Sequence, residues 1–468
     1  MTGIAYYSRS APLLRRTLRL CGSCLVLLLP ASCAVSPLAE SWVEPRALER
    51  ETPTWRPPVR TETTQRDDPL PRPEAPRDTL TLRESVALAL LHNPALSAYG
   101  WEVRAAEARA IQAGLSPNPR MGYRAENLGG PHGNDLFMRQ TVRLSQVIEL
   151  SGKRRKRVRL AQADQRLRAW DFEARRIEVV TLAARRHVET VTARQRVELA
   201  ERTLKLVTHV HEIVDQNVEA GVVPTSERDK AIVRMSIERI ALENARHRLA
   251  AARQALASTW GGDRPNFQRA VGDLVELSVV PDLEHLLPLA RNHPRLARWS
   301  DEIEQRRRAV TLSRSKAVPD VTAGAGVRHF PDANEVAAVL ELSVPWPLFD
   351  RNQGRTLEAR YALSRAMAMQ REANAALHEE LAAAHADVAS AAFALDTLRE
   401  QTLPAARAAF DAARDGFEKG TTDYLNVLDA ERTLVDVERH LIDARERYHK
   451  SAATLEGLIT TPLEDAAR

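Results

Sequence analysis

From Lys153 to Ala220 the chain runs without a single Gly or Pro. Its apolar residues recur at helical spacing: Val180, Ala184, Val188 and Val191, then Leu199, Leu206 and Ile213 at sevens. Such a stretch predicts one continuous helix, or two stacked ones, of roughly 100 Å at about 1.5 Å rise per residue. That is about three times the span of a small domain, so the helix cannot sit inside a globule. A sustained seven-residue spacing asks for partner helices along the whole length.

The rest of the chain contains such partners, twice. After the long stretch ends at Gly221, Pro224-Thr225-Ser226-Glu227 opens a return helix to about Trp260. Before it, Thr81 and Glu84 form a capping-box pattern. Helices are then expected from Leu82 to Asn93 and from Pro94 to Gly114. Between these helices and the long one the period changes to two. Met121, Tyr123 and Ala125 alternate with Arg120, Gly122, Arg124 and Glu126, and residues 137–146 alternate in the same way. This predicts a β-hairpin over 120–147.

The programme then restarts. Pro294 follows Pro94 by 200 residues, and Pro319 follows Pro119 by the same interval. Strands are expected over 321–327 and 335–344 (hairpin 320–347), then a helix from Gly354 to about Phe417, interrupted by Pro404. Gly420 mirrors Gly221. The last helix carries Val427, Leu434, Leu441, Tyr448 and Leu455 at sevens. The expected organisation is a first repeat over 79–262, a second over 263–460 after a polar linker, and a tail over 461–468.

The length of 468 residues would by itself suggest about three domains, but the long helices favour one elongated unit. A mean hydropathy of -0.35 excludes a polytopic helical membrane protein. The 67 basic and 62 acidic residues nearly balance and alternate in sign, as on solvated coiled-coil faces. Nucleic acid is therefore not an expected partner. At the N-terminus, Arg15, Arg16 and Arg19 precede an apolar run, Leu25 to Leu29, and the small residues Ala31 and Ser32. This reads as a secretory signal over 1–32, too short to span a bilayer. Residues 33–78, rich in proline, read as a tether. All three cysteines, Cys21, Cys24 and Cys33, lie near this end. Pro30-Ala31-Ser32-Cys33 resembles a bacterial lipoprotein box with Pro30 where Leu is usual, so Cys33 is the expected lipid anchor. Ordinary signal cleavage is the alternative.

Each expected strand has the length that crosses a bilayer when tilted. An open sheet edge cannot sit in lipid, because each unpaired N–H or C=O would cost several kcal/mol. Four strands are too few to close alone. Either the strands form a soluble sheet or several chains pool them, and the long hairpins favour pooling.

Leu82 to Leu96, Pro117-Asn118-Pro119, Pro319-Asp320-Val321, Pro345 to Gly354 and above all Gly420 to Asp429 resemble the TolC-like outer-membrane efflux proteins. The similarity covers about residues 79–460. It implies a mainly α fold with a small membrane β part: a homotrimer whose four strands per protomer make a 12-stranded barrel above an α-barrel in the periplasm. It further implies a periplasmic adaptor, a proton-driven inner-membrane transporter, outer-membrane lipid around the barrel, no cofactor and no enzymatic activity. The heavy-metal efflux branch is favoured. A periplasmic adaptor or structural coiled coil, and a protein-secretion conduit, are the rival readings. An adaptor needs one helical hairpin and no membrane-length strands.

The resemblance also marks candidate sites. Asp429 and Asn426 fall where the family rings its periplasmic aperture with acids, and Glu227 and Asp229 follow the matching turn of the first repeat. A helix-start acid favouring the macrodipole is the plain alternative for each. Gly221 and Gly420 are the repeat turns. Trp346 and Phe349 suit an aromatic interface belt, and Arg154 and Arg155, within the run Lys153–Arg157, suit lipid head groups. His209 and His211 point apart on their helix and make poor joint metal ligands. His132 and His329 fall near the outer strand ends, where a solvated loop histidine is expected.

Overall fold

The computed structural model describes residues 78–128, 138–274, 279–331, 333–419 and 421–466; Cys33, His132 and Gly420 lie outside them. The first described element is β1 (Thr79–Thr81). The capping box is formed: Thr81 Oγ1 accepts from Glu84 N at 3.3 Å and the Glu84 carboxylate accepts from Thr81 N at 2.8 Å. It starts α1 (Leu82–His92). Next come α2 (Pro94–Gly114), β2 (Arg120–Glu126), β3 (Arg139–Ile148), α3 (Lys153–Glu219) and α4 (Thr225–Ser258). β4 (Arg269–Val271) pairs in parallel with β1, tying the residues expected as a polar linker back to the start of the first repeat. The second repeat runs through α5 (Leu283–Ala290), α6 (Pro294–Ser315), β5 (Val321–Phe330), β6 (Glu335–Ser343), α7 (Gln353–Thr397), α8 (Leu403–Glu418) and α9 (Tyr424–Ile459). A short α10 (Leu463–Ala466) closes the chain with Leu463 buried.

The long helix is one element of 67 residues. Gly152 before it and Asn352 before α7 are both left-handed, with φ of 65° and 57°. The second repeat thus starts its long helix at Asn352–Gln353, not at Gly354. Gly221, φ 69°, makes the turn into α4, a conformation that glycine adopts without a Cβ penalty. Pro404 does not break its helix. Residues Leu398–Thr402 widen into a π turn, and Leu403 N reaches Leu398 O. The widened turn absorbs the missing N–H and the ring of the proline, which an unbroken α-helix could not.

Several apolar clusters hold the helices among the described residues, and two of them are the largest. In the first, Leu80, Val188, Val191, Leu256, Trp260 and Phe267 meet. In the second, Leu286, Leu377, Leu381, Val388, Tyr448 and Leu455 meet. Leu381 and Leu455 are fully buried, each side chain worth about 1.5–3 kcal/mol relative to exposure. Toward the Gly221 end the core thins to Val214 and Ala231. The seam of α3 also turns. Leu199 is buried, but farther along Val207 and Val214 are buried in place of Leu206 and Ile213. A straight helix drifts by ~20° per seven residues, and the drift carries the facing position toward the next residue.

The two repeats begin their second helices with equivalent caps of different chemistry. Asn93 Oδ1 accepts from Leu96 N at 2.9 Å, and His293 Nδ1 accepts from Arg295 N at 3.1 Å. Burial, assisted by the nearby Arg295 charge, pushes the His293 imidazole down to about 4. The native state therefore resists a proton that the unfolded chain takes up below about 6.5, and stability falls as pH drops from 6.5 toward 4. Asn cannot titrate. His293→Asn should keep the cap, and between pH 7 and 4 it should lose up to about 3 kcal/mol less than wild type. Thermal unfolding followed by circular dichroism across that range checks it; parallel curves for the two proteins would reject it.

Candidate functional site

The four long strands form one antiparallel sheet in the order β2-β3-β5-β6, so the two hairpins pair side by side through β3 and β5. Register sorts the charged side chains onto one face and leaves the other mainly apolar. One face carries Met121, Tyr123, Val142, Leu144, Val327, Leu340 and Leu342 among its residues, most of them more than half exposed. His329 is on this face, paired between Gln140 and Val336, within a strand and not in a loop. Every Arg and Glu of the four strands is on the other face: Arg120, Arg124, Arg139, Arg143 and Arg328, with Glu126, Glu335 and Glu341.

That polar face is built around Arg143. Its rung reads Gly122, Arg143, Gly326 across β2, β3 and β5. A Cβ on Gly326 would run into the Val142 carbonyl oxygen and the Arg143 backbone, and one on Gly122 would lie 3.5 Å from Arg143 Nε. The absence of side chains on both sides lets the guanidinium lie along the sheet and pair with Glu341 of β6. One rung farther from the helices, Thr141 is buried and accepts from Arg328 Nε at 3.1 Å. The outer strands β2 and β6 each leave one edge unpaired within the chain.

Where strands become helices, Asp320 joins the two repeats. Its carboxylate accepts from Lys153 Nζ at 2.7 Å and from Leu150 N at 3.0 Å. Arg157 grips Glu149 at 2.6 and 3.2 Å, and Arg154 donates to Ser116 Oγ at 2.6 Å. Much of the run Lys153–Arg157 is therefore structural; Arg155 remains exposed. In the second repeat the matching segment displays Trp346 and Phe349, 81% and 90% exposed.

At the opposite end of the helices the candidate acids part company. Asp423 caps α9 by accepting from Asn426 N at 3.1 Å, so the helix-start role belongs to Asp423. Asn426 and Asp429 are exposed one turn apart, as their spacing predicts. Glu227 pairs with Lys230 at 2.8 Å, whereas Asp229 is exposed. An unforeseen cluster lies beside them. Glu431, 2% exposed, meets Arg234 of α4 at 3.4 Å, and Arg234 also meets Glu238 at 3.2 Å. Burial pushes the Glu431 carboxyl up against the pull of Arg234. The available signal was a charged residue one turn from Val427 and Leu434, on the apolar seam of α9. His209 lies 3.6 Å from Glu212, and among the described residues no three His, Cys, Asp or Glu group as metal ligands. No helix among them is long and apolar enough to cross a membrane.

The profile of the family described as outer membrane efflux protein matches residues 86–262 and 288–461. The cobalt-zinc-cadmium resistance protein CzcC of Cupriavidus metallidurans is 29% identical over 83% of this chain and 92% of that one. Two solved channels share the fold. The outer-membrane channel OprN has a TM-score of 0.69 at 19% identity, covering 82% of this chain and 90% of its own. CusC has a TM-score of 0.67 at 18% identity, covering 81% and 91%.

Glu431→Gln should raise the melting temperature at neutral pH, where the ionised carboxylate is penalised by burial, and Arg234 keeps Glu238 as a partner. The native Glu431 carboxyl titrates above its unfolded value, so the gain should fade on acidification and vanish once both states are protonated below about 4.5. A gain that persists at pH 4 would mean that packing, not charge, is responsible.

Proposed function

Because this chain belongs to the outer membrane efflux protein family, we propose that three copies of it pool their sheets into one twelve-stranded barrel across the outer membrane. The chain is an outer-membrane efflux channel, and on this reading it acts as a passive exit duct. One observation carries the assembly: four strands whose charges all share one face, with an apolar outer face and two unpaired edges. In lipid each unpaired edge group would cost several kcal/mol. Pairing β6 of one copy with β2 of the next removes every edge, and a cyclic arrangement closes the ring. The helices would continue the barrel as a tunnel in the periplasm. Trp346 and Phe349, with Arg154 and Arg155 nearby, would lie at the inner membrane surface.

Energy for transport would come from a proton-driven inner-membrane transporter joined through a periplasmic adaptor. The similarity to a cobalt-zinc-cadmium resistance protein favours metal cations as the cargo; small toxic compounds are the other class that such a duct suits. The aperture would lie at the Gly221 end, where a threefold axis brings three copies of Asp429 together beside Asn426. Glu227 contributes less to it, being paired with Lys230.

Leu340, 85% exposed in the middle of β6, tests the barrel. Leu340→Arg should cost about 2–4 kcal/mol per copy on a lipid face and deplete the protein from the urea-washed outer membrane. Native mass measurement of wild type in detergent should give three chains, and a stable soluble monomer would sink the assembly. Asp429 tests the aperture. In planar bilayers Asp429→Ala should raise single-channel conductance or weaken block by divalent cations, with Glu227→Ala doing less. Unchanged conductance, selectivity and block would make Asp429 a helix-start acid only.

A further inference from the structure

The polar face of the sheet is not merely hydrophilic. Five arginines share it with three glutamates, and the positive excess is on its middle rungs, since the rung farthest from the helices sets Arg139 beside Glu126 and Glu335. The rung of Arg143 is neutralised by Glu341. The next rung outward reads Arg124, Thr141, Arg328, Ala337 and contains no acid. Arg328 uses only Nε, on Thr141, and among the described residues no carboxylate meets its two terminal nitrogens. Arg124 is 60% exposed and has only a loose contact with Glu126 at 3.8 Å. On the following rung Arg139 opposes Glu126 without pairing to it, and its Nε is buried with no partner. Arg124 and Arg328 thus flank one buried threonine on a single rung, with most of their donors free of carboxylates. Guanidinium forks match the geometry of oxyanions.

We propose that this rung is an anion-binding girdle inside the channel, recognising small multivalent oxyanions. The inference rests on the pooled-barrel reading, which turns the polar face toward the lumen and repeats the rung three times. Six arginines would then ring one level of a water-filled passage. Walls of low dielectric focus such a field and raise the local anion concentration. Free cations meet a barrier at the same level. A cationic cargo therefore leaves accompanied by anions, or as a complex whose charge they have cancelled.

Inorganic tripolyphosphate is a suitable probe, titrated by calorimetry into the detergent-purified full chain whose oligomeric state has been set by native mass measurement. Wild type should bind it. Arg124→Gln/Arg328→Gln should bind about tenfold more weakly, while Arg407→Gln/Arg414→Gln, which removes as many charges from the helices, should bind as wild type does. If the double variant does not assemble, Arg124→Gln alone, at an exposed position, should still weaken binding about threefold. Absence of binding to wild type, or equal binding by the sheet variants, overturns the girdle while leaving the trimer intact. Monomers that bind the probe as tightly would instead sink the pooled barrel and spare the rung.

Discussion

A sheet that is apolar on one face and open at two edges cannot be at rest by itself. The peptide groups along β2 and β6 want partners, and Met121, Tyr123, Leu340 and Leu342 want to leave water. Either need alone has ordinary solutions, such as a covering helix or a charged edge. Together they require a surrounding that is apolar outside and supplies a strand at each end. Neighbouring copies in a bilayer supply both. The proposed barrel and the tunnel below it follow from this double need. In the proposed barrel the long helices would not cause the assembly; α3 and α7 would inherit a threefold arrangement from the strands that lead into them. Asp320, holding Lys153 and the backbone of Leu150, transmits the sheet's geometry to the start of α3.

Periodicity makes most of the chain's element order legible in the sequence. The stretch lacking Gly and Pro is α3 to within a residue, Pro94 and Pro294 are the first residues of their helices, and the period-two segments are the four strands. These features are local, and local sterics decide them. What escaped notice depended on distant partners. β1 and β4 are three residues each and gain their structure from one another and from the core around Phe267. The rotation of the α3 seam from Leu206 to Val207 needs the axis of the partner helix, not only the spacing. Pro404 correctly marked an irregularity, but whether a chain breaks or widens there depends on the packing around it.

The candidate site divides along the same line. Spacing alone put Asn426 and Asp429 on one exposed face. It did not reveal that Asp423 is the helix cap, that Lys230 accompanies Glu227, or that Glu431 is buried against Arg234, because each of these is a pairing. The basic run Lys153–Arg157 is the clearest case. As sequence it is a charged patch; in the fold Lys153 is buried on Asp320 and Arg157 is bound to Glu149. Charge written in a row says little about charge left over after the partners are counted. The sheet gives the reverse example: its arginines are dispersed through three strands and come together only when the register aligns them.

Both ends of the molecule carry charged side chains without ion-pair partners among the described residues. Exposed carboxylates, Asp229 and Asp429, lie at the far end of helices that run roughly 100 Å from the sheet, and the unpaired arginines lie beyond the near end. The screening length at physiological salt is about 8 Å, so neither group feels the other. In the proposed channel they would act as independent filters in series. The acidic level draws cations toward the narrow end and the basic level draws anions into the barrel. An ion passing both must be compensated at one of them, and water-filled volume between the two levels is where compensation can occur. On these two proposals the fold would separate in space two electrostatic tasks that would cancel if placed together. The length of α3 is what keeps them apart.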